Sequence, residues 1–350
     1  MARNGNSGAP ELMVLMRSTA SSDEVDHIVG LIQESGAGAH VDQSGEATVI
    51  GVIGQRAQIA ALPFEGLPGV ERVVPLRKGF KWVSREYLDR DTVIDICGRK
   101  VGGRHFALMA GPCAVESYEQ TLQAAKDVKA AGGTLLRGGA YKPRSSPYAF
   151  QGLGVRGLEI LSAVGQETGL PVATELMDAR DLEPVLEHID LIWIGARNMA
   201  NFNLLSELGR VRKPVMLKRG MSATVEELLM AAEYVAKEGN EDIILCERGI
   251  RTFERSTRFT LDIGAIPVLK AETHLPVIVD PSHAAGKRPL VAPLARAAVA
   301  AGADGLIVET HPNPEHALSD AAQQLPSGSF GGFVREMEQL LAVDGKTISR

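Results

Sequence analysis

From residue 105 onward the chain repeats one pattern, a short unbroken apolar run followed by a longer stretch with helical spacing. The runs cover 106–110, 134–137, 171–175, 191–195, 214–218, 242–247, 275–280 and 304–309. They do not alternate polar with apolar positions, as strands covered on both faces require. Between them lie segments such as SYEQTLQAAKDVKAAGG and ATVEELLMAAEYVAKEG, whose apolar residues recur with helical periodicity. Eight such units predict an α/β fold, a closed (β/α)8 TIM barrel. A doubly wound open sheet has fewer strands, and the first turn here, AGPCAVES, lacks a dinucleotide-binding glycine fingerprint.

Residues 11–76 have a shorter rhythm. ELMVLMR reads as a strand, and SSDEVDHIVGLIQESG as a helix with a Ser-Ser-Asp cap, an apolar face of Val25, Ile28, Val29 and Ile32, and a stop at Gly36. AHVDQ and ATVIGVIG read as two strands joined by a hairpin at Ser44-Gly45, followed by a short helix near QIAALPF and a strand, GVERVVPL. The order βαββαβ predicts a small ferredoxin-like module. It holds no catalytic constellation and is expected to bind or regulate. Residues 1–80 are therefore expected to form this domain and 105–350 the barrel. Residues 81–104 should form a linker with a hairpin in TVIDICGRKVGG, read as a lid.

Composition narrows the function classes. The 350 residues exceed the roughly 100–200 of one ordinary domain, which agrees with two units. Lys plus Arg number 37 against 43 Asp plus Glu, a net −6 too balanced for a nucleic-acid binder or a disordered acidic chain. No apolar stretch approaches the ~20 residues that span a bilayer, and MARNGNSGAP lacks the apolar core of a signal peptide. The cysteines Cys97, Cys113 and Cys246 form no C-x-x-C pair, which excludes a disulfide scaffold or zinc ribbon and favours the cytoplasm.

Barrel active sites lie at the C-terminal ends of the strands, so the residues ending each run form one set of candidates. They are Cys113; Arg137 with the following GGAYKPRSSPY; Glu175; Ala196-Arg197-Asn198; Lys218-Arg219; Glu247-Arg248; Asp280-Pro-Ser-His283; and Glu309, followed by His311 and Asp320. Arg137, Lys142, Arg144, Arg197, Lys218 and Arg248 make a converging cationic set suited to phosphates and carboxylates. Cys113, His283, Glu309 and Asp320 come from strand ends 1, 7 and 8, which adjoin in a closed barrel. Their S/N/O₂ donors suit Mn, Fe, Co or Zn rather than Mg or Ca. His311 and His316 remain rival ligands on spacing alone, and Cys246, inside an apolar run, reads as core.

The motifs AGPCAVES, LLRGGAYKPRSSPYAFQGLG, IGARN, LKRG, CERGIRTFE, DPSHAAGKR and ETHPNPEHALSDAAQQL resemble the 3-deoxy-arabino-heptulosonate 7-phosphate synthases, type I-beta, whose members can carry an N-terminal ferredoxin-like regulatory domain. The resemblance implies condensation of phosphoenolpyruvate with erythrose 4-phosphate, releasing phosphate, at the entry to the shikimate pathway. It implies a divalent metal on Cys113, His283, Glu309 and Asp320. Phosphoenolpyruvate would meet Arg137, Lys142, Ala196, Arg197, Lys218 and Arg248, while Arg144 and Ser145 would hold the aldose phosphate. Lys142, Cys113, His283 and Glu175 would take part in catalysis, Glu175 by orienting a water or a neighbouring lysine. A homo-oligomer, tetramer or dimer, and inhibition by Tyr or Phe are implied as well. Ser145 stands where the family usually has Thr, and Ala321-Ala322 where Gly is common. Two alternatives are the sister octulosonate 8-phosphate synthases, which carry Asn-Arg where this chain has Lys142-Pro143-Arg144, and an inactive barrel serving as an aromatic amino acid sensor.

Overall fold

The structure is a computed structural model that describes residues 10–43, 48–55, 59, 62–76, 78–144 and 146–350. Its first unit is an antiparallel sheet of β1 (Pro10–Met16), β2 (Gly38–Asp42), β3 (Val49–Ile53) and β4 (Val70–Pro75) in the order β2-β3-β1-β4. Helix α1 (Ser22–Glu34) starts at a capping box. Glu24 N donates to Ser21 Oγ, and Ser21 N to the Glu24 carboxylate. Val25, Ile28 and Ile32 bury against Val14, Met16, Ile50 and Val52. This is the predicted ferredoxin-like order. The Ser44-Gly45 turn, and Gln58, Ala60 and Ala61 of the QIAALPF segment, lie outside the described residues.

The second unit is the barrel. Parallel strands β7 (His105–Gly111), β8 (Leu135–Arg137), β9 (Val172–Leu176), β10 (Leu191–Ile194), β11 (Val215–Lys218), β12 (Ile243–Glu247), β13 (Val277–Val279) and β14 (Gly305–His311) pair in sequence order. β14 closes the circle on β7 in the register Gly305↔Ala107 to Glu309↔Gly111. Among the surrounding helices are α2 (Tyr118–Ala131), α3 (Val155–Thr168), α4 (Leu182–His188), α5 (Phe202–Gly209), α6 (Val225–Lys237) and α7 (Ala265–Glu272). The short α8 (Pro281–Ala285), then α9 (Arg288–Ala300) and α10 (Phe330–Leu341), complete them.

Alternation along the strands sorts the interior into layers. Ala107, Met109, Leu135, Ala173, Leu191, Trp193, Met216, Ile244, Cys246, Ile278 and Ile307 fill the lower barrel as one apolar cluster. Cys246 is therefore core. Two residues beyond the last inward apolar residue of six strands (Leu135, Ala173, Met216, Cys246, Ile278 and Ile307), the side chain in the same register is polar: Arg137, Glu175, Lys218, Arg248, Asp280 and Glu309. The same register that packs the core thus delivers the functional groups.

The hairpin of β5 (Ile94–Ile96) and β6 (Arg99–Val101) corrects the lid expectation. Ile94, Ile96 and Val101 pack with Ala107, Leu135 and Leu191, near the starts of their strands. The hairpin plugs the end opposite the polar layer because its inward face is apolar and buries there. The segment before it also binds at that end. Trp82 N and Val83 N donate to the Glu233 carboxylate on α6 at 3.0 and 3.2 Å, Lys78 pairs with Glu272, and His40 Nε2 lies 3.6 Å from Glu241. The chain's own N-terminal module is therefore seated toward the strand starts and away from its own barrel mouth. Among the described residues no helix is long and apolar enough to cross a membrane.

His274 ties this junction together. Its Nε2 lies 2.9 Å from the Trp82 carbonyl and its Nδ1 2.7 Å from Thr92 Oγ1, partners that fit a neutral ring with the proton on Nε2. Burial pulls its pKa down from 6.5 to about 4. The unfolded chain then binds the extra proton between these values, so stability falls as pH drops through that window. The loss from this group between pH 7 and 5 comes to about 2 kcal/mol. Urea unfolding at both pH values should show a His274→Gln variant losing that much less than the wild type. Equal losses would contradict the assignment.

Candidate active site

At the C-terminal ends of the strands lies a cavity of about 160 Å³, lined among others by Arg137, Lys142, Arg144, Glu175, Ala196, Arg197, Lys218, Arg248, Arg258, His283 and Asp320. Trp193 forms part of its floor, with the Arg137 guanidinium 4.9 Å and Lys218 Nζ 5.2 Å from the ring centroid. Arg248 stacks over Phe259 at 4.2 Å. Arg248 Nη1 and Arg137 Nε are buried with no hydrogen-bond partner among the described residues. Burial pushes the Arg248 guanidinium below its ordinary pKa. Buried guanidinium donors without acceptors are costly unless a ligand supplies the acceptor. Glu175 reaches the cavity because Gly195 has no side chain; a Cβ there would overlap Glu175 Oε1.

The thiol, imidazole and carboxylates meet beside this pocket. Donor atoms of Cys113, Glu309 and Asp320 all lie within 4.8 Å of one another. His283 Nε2 is 3.5 Å from Glu309 Oε1 and 4.0 Å from Asp320 Oδ2. Local geometry explains the convergence. Cys113 follows β7 in a Gly-Pro turn and its N–H donates to Gln324 Oε1 at 3.0 Å. Asp280 caps α8, accepting from His283 N at 3.0 Å through Oδ1. Glu309 N donates to Ser282 Oγ at 3.0 Å. Asp320 adopts a left-handed φ of +49°, which short polar side chains tolerate better than most.

Each acidic group of this cluster is bonded to a cation or to the imidazole. Arg137 Nη1 donates to Glu309 Oε1 at 2.7 Å, Arg258 Nη1 to Asp320 Oδ2 at 3.2 Å, and Lys142 Nζ lies 3.0 Å from Cys113 Sγ. Asp280 Oδ2 accepts from Lys218 Nζ at 2.6 Å and from His283 Nδ1 at 2.8 Å. That contact places a proton on Nδ1 and turns Nε2 toward the ligand cluster. Against the cost of burial, His283, Arg137 and Lys142 pull the Glu309 carboxyl down to about 2. Burial, with the Glu309 charge next, pushes the Cys113 thiol up to about 12, so metal capture as the thiolate would release a proton.

Of the residues predicted to line the site, Arg219 and Glu247 do not. They are the outward neighbours of Lys218 and Arg248, and they pair at 2.9 Å behind the barrel wall, where Arg219 also bonds Asp262. His311 turns Nδ1 to Asn313 N and Nε2 toward Glu116, and His316 is exposed. Ser145 lies outside the described residues. The sequence names Asp280 as a strand-end candidate without giving its partners, and it singles out neither Trp193, Arg258 nor Gln323. Trp193 is findable, because alternation from Leu191 turns it inward. The last two sit on loops, where no periodicity applies.

Fold and site together define a barrel enzyme with a cationic cavity beside a thiol, an imidazole and two carboxylates that could hold a metal ion. The chain matches the DAHP synthetase I family over residues 91–343 and the DAHP synthase ferredoxin-like domain over residues 13–78. It is 49% identical over 329 residues to phospho-2-dehydro-3-deoxyheptonate aldolase of Thermotoga maritima, covering 94% of this chain and 97% of that one. A crystal structure of that DAHP synthase superposes with a TM-score of 0.76 at 48% identity, covering 96% of this chain and 99% of the other. Identity to the 2-dehydro-3-deoxyphosphooctonate aldolase of Acidithiobacillus ferrooxidans is 34% over 264 residues, 70% of this chain and 93% of that one. The chain belongs to the DAHP synthetase I family and carries its ferredoxin-like domain.

Proposed function

We propose that this enzyme condenses phosphoenolpyruvate with erythrose 4-phosphate to 3-deoxy-D-arabino-heptulosonate 7-phosphate, releasing inorganic phosphate, as the first step of the shikimate pathway. The observation that carries this reading is the contact between the two sets of groups: a cationic cavity whose Arg137 and Lys218 bond Glu309 and Asp280 in the wall of the Cys113–His283–Glu309–Asp320 cluster. The mixed sulfur, nitrogen and oxygen donors fit a first-row ion such as Mn, Fe, Co or Zn. Bound there, it would supply Lewis acidity toward the aldehyde carbonyl.

The chain's own residues account for the rest. Arg137, Arg197, Lys218 and Arg248 would hold the phosphate and carboxylate of phosphoenolpyruvate, while Arg144 with Ser145 would take the far phosphate of the aldose. Bringing two anions together costs repulsion, and these cations offset it. Lys142, fixed between the Cys113 carbonyl and thiol, would set the enol carbon against the aldehyde. Glu175, in the space Gly195 leaves, would orient a water or a neighbouring lysine.

Octulosonate synthesis is the second reading, and the basis for ranking it lower is Lys142-Pro143-Arg144 together with the match over the ferredoxin-like domain. With phosphoenolpyruvate fixed, kcat/KM for erythrose 4-phosphate should exceed that for arabinose 5-phosphate by about a hundredfold or more, as expected where one substrate's phosphate fits the site and the other's does not. The reverse order would promote the second reading. We also propose that residues 1–80 are a regulatory domain answering to Tyr or Phe. Since the module sits away from its own barrel mouth, it would act on a neighbouring copy of a homo-oligomer. Deleting 1–80 should leave a synthase that neither amino acid inhibits; a truncated enzyme inhibited as strongly as the full chain would refute this.

A further inference from the structure

We infer that Gln323 is a positioning residue that sets the carboxylate geometry of the metal-ligating cluster, an inference that rests on the metal reading above. Gln323 is 2% exposed and both ends of its amide are committed. Its Nε2 donates to Glu309 Oε2 at 2.7 Å and lies 3.5 Å from Asp320 Oδ2. Its Oε1 accepts from Arg258 Nη1 at 3.1 Å, and the same Arg258 nitrogen donates to Asp320 Oδ2 at 3.2 Å. Glu309 is thereby gripped on both oxygens, with Arg137 on Oε1 and Gln323 on Oε2. Glu309 comes from β14 and Asp320 from the loop beyond it, so this amide joins two ligands from separate segments.

The amide suits this chemistry. Only a neutral group that donates at one end and accepts at the other can face two carboxylates and a guanidinium at once. The neighbouring residue performs the backbone half of the task. Gln324 Oε1 accepts from Cys113 N at 3.0 Å, and its Nε2 donates to the Ser319 carbonyl at 2.8 Å. Gln323 thus holds two ligand side chains while Gln324 holds the loops that carry Cys113 and Asp320.

The test is a Co²⁺ titration of the metal-stripped full chain, followed by the thiolate-to-cobalt charge-transfer band and the d–d bands. Wild type should bind Co²⁺ with both signatures. Gln323→Met should weaken Co²⁺ binding about 10–100-fold, the usual effect of losing an outer partner of a metal ligand, and shift the d–d bands. Gln323→Asn keeps the amide but shortens its reach, so it should fold and give an intermediate affinity with a shifted spectrum. If either folded variant binds within twofold of wild type with an unchanged spectrum, Gln323 does not position the ligands. If wild type gives no charge-transfer band, the metal reading itself fails, and this inference with it.

Discussion

Replacing Cys113 with alanine is expected to lower turnover about a thousandfold or more, because a Lewis acid contributes several kcal/mol to such a transition state and ~4 kcal/mol is about a factor of 10³. The fold should survive. The change removes one buried sulfur, a loss of about 1 kcal/mol, and Lys142 keeps its bond to the residue-113 carbonyl at 3.0 Å. Metal content of the purified variant should fall in step with activity. Cys246→Ala is the matched control, since Cys246 is equally buried but lies in the apolar barrel core. A Cys113→Ala enzyme that regains the wild-type rate after chelation and Mn²⁺ add-back would rule out the thiol as a ligand.

Replacing Arg248 with methionine should likewise leave a normal fold, but with failed substrate binding instead of failed turnover. Its guanidinium is buried, bears a nitrogen with no partner among the described residues, and rests on Phe259. Methionine keeps apolar contact with the ring and removes an unsatisfied buried donor, so the ligand-free melting temperature should stay level or rise. The KM for phosphoenolpyruvate should increase roughly 10–150-fold, from the ~1.5–3 kcal/mol that a hydrogen bond to a charged group contributes. Arg137 offers the contrast. Its guanidinium is paired with Glu309, so its removal would strand a buried carboxylate and cost about 3–5 kcal/mol of stability. A large loss of stability in Arg248→Met with an unchanged KM would make Arg248 structural.

The barrel was legible because its strands are apolar without interruption, which is what a sheet covered on both faces demands and an amphipathic one does not. Arg137, Glu175, Lys218, Arg248 and Glu309 were legible for a related reason: each continues its strand's inward register by one step. Arg219 and Glu247 show the limit, since strand ends carry outward charges that composition alone does not separate from inward ones. The hairpin at 94–101 is legible in the sequence, but the end of the barrel it plugs is not, because the partners of Ile94, Ile96 and Val101 are fixed only by tertiary packing. Gln323 and Arg258 were invisible for the same reason. Their contacts arise from loops that become neighbours only when the barrel closes.

Metal-dependent condensation of two phosphorylated substrates at this site is tested most directly by ³¹P NMR. Phosphoenolpyruvate and erythrose 4-phosphate would be followed with the metal-stripped enzyme, before and after Mn²⁺ is added. The substrate signals should stay unchanged at first, and then inorganic phosphate and a new sugar phosphate should appear together in equal amounts. Equal rates with and without metal, or phosphate released with no sugar product, would contradict a metal-dependent condensation.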